Sequence, residues 1–172
     1  MEKLKKPLFF TLIVLFVINV AFGFKYKIIY VQGASMEPTY KNSELIVVER
    51  MRSLGENWAP DRYDVIVAKE KDGASSLCKR VIGVCGDKIE IENGYIHLNN
   101  RELKDPFMGH QWNDGRIGYF MVDDFDQVID IKWEGMAEIT VPEGYVWVIG
   151  DNRGYSWFGL LPIENIEYLV IL

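Results

Sequence analysis

The sequence predicts a mainly β protein: antiparallel β-sheets, or a partly closed barrel, behind one N-terminal transmembrane helix. Three observations carry this. Residues 8–24 read LFFTLIVLFVINVAFGF, with no charge and only Thr11 and Asn19 as polar interruptions. After them, short β-branched and aromatic runs recur to the end of the chain. Tight-turn residues such as Pro142-Glu143-Gly144 and Lys71-Asp72-Gly73 separate those runs.

The first element is residues 1–7, MEKLKKP, a short basic stretch with Lys3, Lys5 and Lys6. The apolar run of residues 8–24 then spans about 26 Å as a helix, the short end for crossing a bilayer. Two readings fit it. As an uncleaved anchor it keeps the basic N-terminus cytoplasmic and places residues 25–172 outside. As a cleaved export signal it would use the small-x-small site Ala21-Phe22-Gly23. The run exceeds a usual signal core and strand-like sequence follows at once, which favours the anchor. Both readings export the domain.

Strands are expected over 26–32, 44–51, 64–70, 77–84, 87–92, 95–100, 137–141 and 145–150. KIEIENGYIHLNN reads as a hairpin turning at Asn93-Gly94. Residues 101–136 break the pattern with glycines, aromatics and Asp123, Asp124, Asp126 and Asp130. They lack the ligand register of a calcium loop, so a solvated insertion without metal is the better reading. The 25 acidic and 19 basic side chains give a net charge of −6, which disfavours nucleic acid as a partner. Cys78 and Cys85 would stand ~23 Å apart on a continuous strand, too far to bridge, and are expected as free thiols acting as small apolar residues.

Only a few residues can carry chemistry. His97 and His110 are the only histidines, and neither belongs to a recognisable catalytic pattern. Ser35, in VQGASMEPTY, follows an apolar strand and is either a turn serine or a nucleophile. A nucleophilic serine without histidine needs another base, and a lysine serves only if desolvation favours its neutral amine. In LCKRVIG, alternation puts Leu77, Lys79 and Val81 on one face and Cys78, Arg80 and Ile82 on the other. Lys79 is thus flanked by apolar neighbours, either as a buried base or as an edge-strand lysine that deters aggregation. GDNRGYS, residues 150–156, follows the apolar strand YVWVI. It is a turn in which Asp151 and Asn152 bond their own backbone, or a loop that carries Asp151 or Ser156 to Lys79.

GASMEPT (33–39), DRYDVIVAK (61–69), KRVIGVCGDKIEIENGYIHLNN (79–100) and VPEGYVWVIGDNR (141–153), in this order behind a basic N-terminus and an anchor, resemble type I signal peptidase of the Gram-positive bacterial kind. The resemblance implies two antiparallel sheets with an inserted cap, and no cofactor. It also implies a membrane-bound serine endopeptidase that removes signal peptides from secreted preproteins after small residues. Ser35 would be the nucleophile, Lys79 the general base, and the Ser35 N–H an oxyanion donor. Gly33 stands where many Gram-negative members carry a second serine that supplies an oxyanion donor, and where many Gram-positive relatives also have glycine. Ser156 would orient the Lys79 amine, Asp151 and Asn152 would shape its loop, and Arg80 would tie the strand down from the opposite face. Met36 is expected at the membrane surface, and Met36 and Pro38 beside the substrate. The segment after GDNR is shorter than the family's usual one, because GDNRGYS runs straight into Trp157-Phe158-Gly159. An inactive homologue that binds preproteins without cutting them is the alternative.

Overall fold

The computed structural model describes residues 2–55, 58–69, 75–92, 95–104, 107, 138–153, 155–156 and 158–172. Most of the expected insertion (108–136) and His110 lie outside that set. Helix α1 runs Glu2–Lys25. Its described side chains from Phe9 to Val17, with Val20, Phe22 and Phe24, are exposed. Among the residues whose side chains are described, no helix is long and apolar enough to cross a membrane.

Eleven strands follow among the described residues. They are β1 (Tyr26–Tyr30), β2 (Leu45–Arg50), β3 (Val65–Lys69), β4 (Ser76–Gly83), β5 (Lys88–Glu92), β6 (Tyr95–Leu98), β7 (Arg101–Glu102), β8 (Ile139–Thr140), β9 (Tyr145–Ile149), β10 (Phe158–Pro162) and β11 (Ile166–Val170). Seven form one sheet in the order β1-β2-β11-β3-β4-β9-β10, and four form a smaller sheet in the order β7-β6-β5-β8. Every pairing is antiparallel. The mainly β, antiparallel expectation therefore holds.

The hairpin expected around Asn93-Gly94 is present as β5–β6, closing at Glu92↔Tyr95. Three strands went unforeseen: the two-residue β7, β10 and β11. Gly159 and Pro162 interrupt β10, and β11 is a short run near the end of the chain. Yet β11 lies between β2 and β3 and closes the centre of the larger sheet. The start of the expected insertion, β7, pairs with β6 rather than standing apart.

Three apolar clusters hold the sheets. Ile82, Ile89, Ile96, Ile139, Trp147 and Ile149 join the smaller sheet to one face of the larger. Gly83 makes that approach possible, because a Cβ there would lie 2.9 Å from Ile89 Cδ1. Ile66, Ala68, Leu77, Val81, Val146 and Val148 fill the other face, and Val31, Ile46, Val48 and Val67 form a third group. Each fully buried Ile or Val contributes ~1.5–3 kcal/mol by leaving water. Both cysteines are free; Cys78 is largely covered, and Cys85 is exposed rather than packed as a small apolar residue.

Candidate active site

Alternation along β4 does what the sequence suggests. Across the sheet Lys79 faces Ile66, and its neighbours on the same face, Leu77 and Val81, face Ala68 and Val148. Lys79 is therefore the polar member of an apolar face and is only 4% exposed. Strand β4 outruns its neighbour: β9 ends at Ile149, opposite Arg80, so nothing from β9 covers the stretch from Ser76 to Lys79. Two loops meet beside that stretch, the turn after β1 and the segment after β9.

The first loop presents Ser35. Gly33 adopts a left-handed φ of +85°, which an L side chain resists. Its N–H donates to Asn42 Oδ1 at 3.0 Å, and the loop closes through Val31 N–H to Glu44 O and Ser43 N–H to Val31 O. Lys79 Nζ donates to Ser35 Oγ at 2.9 Å and to the Cys78 carbonyl at 3.1 Å. Residues 44 positions apart in sequence thus meet in hydrogen-bond contact. Among the described residues, the Ser35 N–H donates to no acceptor.

The second loop fixes the first. Asn152 donates its backbone N–H to Ser35 O and its side-chain amide to Ala34 O, both at 3.0 Å. Ser156 Oγ accepts the Gly150 N–H at 2.9 Å. A Cβ at Gly150 would overlap both Ser35 O and Ser156 Oγ, which places the Ser156 hydroxyl beside the nucleophile turn. Gly150→Ala should therefore push the turn away from Lys79. A displacement near 1 Å at a reacting atom costs on the order of a hundredfold in rate. The expected result is a fall of about that size in kcat, with a smaller change in KM; an unchanged kcat would refute this packing argument.

Beneath both loops lies a buried ion pair. Arg80 Nε and Nη2 donate to Asp151 Oδ1 and Oδ2 at 2.8 and 2.7 Å, the two-pronged geometry that suits a guanidinium and a carboxylate. Asp151 is fully buried and Arg80 is 4% exposed. Arg80 Nη1 donates to Tyr63 O at 2.7 Å, and the Phe107 ring centroid sits 3.4 Å from its guanidinium carbon. Thr39 Oγ1 donates to Asp151 Oδ2 at 2.5 Å, carrying the network back into the Ser35 loop. Asp151 is thereby committed to Arg80 and Thr39. Burial also pushes the neighbouring Cys78 thiol up to about 11, a sign of how dry this part of β4 is.

Two expectations change. Met36 is fully buried rather than at a membrane surface. It is the one long apolar side chain of GASMEPT, and the turn folds it inward, where it supports the loop. Pro38, which follows a cis peptide bond, is exposed. Gly33 is explained by its backbone angle as much as by the side chain it lacks. Sequence reasoning passed over Thr39, Asn42, Gly150, Tyr63 and Phe107. Thr39 and Gly150 lie inside the quoted boxes. The Tyr63 contact is made by a carbonyl, which has no signature in a sequence.

A family model described as signal peptidase, peptidase S26, matches residues 4–168. Signal peptidase I of Streptococcus pneumoniae serotype 4 is 29% identical over 143 residues, covering 72% of this chain and 67% of that one. Signal peptidase I of Bacillus caldolyticus is 32% identical over 147 residues, covering 79% and 72%. Signal peptidase IB of Staphylococcus aureus is 30% identical over 144 residues, covering 79% and 71%.

Proposed function

Because this chain belongs to the signal peptidase family, peptidase S26, we propose that its Ser35 and Lys79 form the dyad that cuts signal peptides from secreted preproteins. The observation that carries the assignment is the 2.9 Å contact between the Lys79 amine and Ser35 Oγ inside an apolar face. A neutral Lys79 accepts the Ser35 proton as Oγ attacks the scissile carbonyl, and returns it to the leaving amine. The unpaired Ser35 N–H is aimed at the oxyanion role. At position 33 no side chain supplies a second donor, and the Gly33 N–H is held by Asn42. Asn152 and Gly150 keep the turn in place, and Ser156 orients the Lys79 amine from the same loop.

In this reading α1 is the membrane anchor. Leu8 to Phe24 carry no charge, and the described side chains from Phe9 to Val17, with Val20, Phe22 and Phe24, are exposed. A helix that is apolar all round needs a non-aqueous neighbour. The basic N-terminus stays cytoplasmic and residues 25–172 lie outside, where the substrate emerges. The substrate binds as an extended strand with small side chains next to the cut, as peptides bind at sheet edges.

Incubating the protein with one model preprotein and sequencing the mature product's N-terminus tests the specificity. Cleavage after a small-x-small site is expected; products beginning elsewhere would defeat it. The base assignment has its own readout. With Lys79 as base, only the neutral amine is active, so log rate rises with pH and levels off once Lys79 has lost its proton. A profile flat from acidic to alkaline pH would remove Lys79 from that role.

A further inference from the structure

At the foot of the domain, where α1 meets the sheet, cations gather that the sequence keeps far apart. Lys25 ends α1 and forms an ion pair with Glu49 of β2 at 3.1 Å. The Arg52 guanidinium, just past β2, lies 4.7 Å from the centroid of the Phe24 ring at the end of the helix. Lys27 and Arg50 flank one tyrosine of β11: Lys27 Nζ donates to Tyr168 Oη at 3.2 Å, and the Arg50 guanidinium is 5.8 Å from the same ring.

Glu49 is taken by Lys25, and Lys27, Arg50 and Arg52 have no ion pair among the described residues. Arg50 Nε is buried without a hydrogen-bond partner. Three cations with no ion pair among the described residues thus lie around the junction of α1 with β2 and β11, in a chain of net charge −6. Aromatic rings hold them in place but do not neutralise them.

We propose that this rim binds the phosphodiester headgroup of anionic phospholipids in the outer leaflet. The proposal rests on the reading of α1 as the anchor, since that puts Phe24 at the end of the apolar span and Arg52 at headgroup depth. An anionic phosphate there meets Arg52 and Lys27 from the water side and the unpaired Arg50 donor from the protein side. The site sits at the junction that sets the domain's tilt on its helix. Headgroup binding therefore fixes the catalytic domain against the bilayer.

The test titrates the full chain, in neutral detergent, with short-chain phosphatidylglycerol, phosphatidylcholine of the same chain length, or inorganic phosphate. Thermal unfolding is the readout. Phosphatidylglycerol should raise the unfolding temperature saturably, and the other two should not. The variant K27Q/R50Q/R52Q should bind phosphatidylglycerol roughly a hundredfold more weakly, at the usual contribution per interfacial cation. Should it fail to fold, R52Q alone, which alters an exposed side chain, should lose roughly fivefold. Equal shifts with both lipids, an unchanged affinity in these variants, or a phosphate shift as large as the lipid's would each overturn the site. Carbonate extraction of membranes reports on the anchor separately. Release of the protein would sink the anchor reading, whereas retention with equal lipid responses would sink only the headgroup site.

Discussion

Ser35→Ala and Lys79→Ala each abolish preprotein cleavage, with a loss of at least ~10⁴-fold in kcat, while the protein remains folded. The size follows from what is removed. Without Oγ no acyl intermediate forms, and without the amine the hydroxyl keeps its proton at neutral pH. Groups that act as one unit fail together, so the double variant should be little worse than either single one. What activity remains is expected from binding and the oxyanion donor alone. Stability separates loss of chemistry from loss of fold. Ser35→Ala removes one hydroxyl from a partly exposed turn, so its urea midpoint should stay near that of the parent. Lys79→Ala removes a long buried side chain that packs among Leu77, Val81 and Ile66, and some destabilisation is expected. Lys79→Met, which keeps the length without the amine, is the cleaner variant and should be equally inactive. Cleavage by Lys79→Met at near-parental rate would end the dyad assignment.

Asp151→Ala has the second large effect, and it falls on stability. Asp151 is fully buried, and its carboxylate serves Arg80 twice and Thr39 once. Truncation leaves the Arg80 guanidinium buried with its Nε and Nη2 donors unmatched, a situation that costs ~3–5 kcal/mol. Against a typical domain stability of ~5–15 kcal/mol, that is a large fraction. The urea midpoint should drop with little change in slope. Asp151→Asn keeps an acceptor but loses the charge, and should fall between Ala and the parent. Because Thr39 belongs to the Ser35 loop, activity should fall even under conditions where the variant is folded. An Asp151→Ala midpoint equal to the parent's would mean that the ion pair is not a structural tie.

Much of the site was legible in advance because its signals are local. Alternation alone put Lys79 on an apolar face, since side chains along a strand switch sides at every residue. That face is the one on which Ile66, Leu77 and Val81 pack. Arg80 was assigned to the opposite face for the same reason, and its guanidinium bonds Asp151 and the Tyr63 carbonyl. Ser35 and the segment from Asp151 to Ser156 were singled out by flanking glycines, prolines and strand ends. Met36 was misread because its neighbours are turn residues. A turn's exterior and interior look alike in sequence until the body it packs on is known.

By itself, the sequence determined eight of the eleven described strands, which lysine is dry, and that the sheets are antiparallel. These follow from periods of two, turn chemistry and apolar runs, all of which act over a few residues. Only the tertiary structure decided that β11 slots between β2 and β3, and that β9 stops at Ile149 so that two loops can meet beside Lys79. It alone brought Phe107 onto Arg80, and Arg50 and Arg52 to the foot of α1. Those arrangements depend on which apolar faces bury one another and on where each ladder runs out. Burial is non-directional and acts between segments far apart in the chain, so no local pattern encodes it.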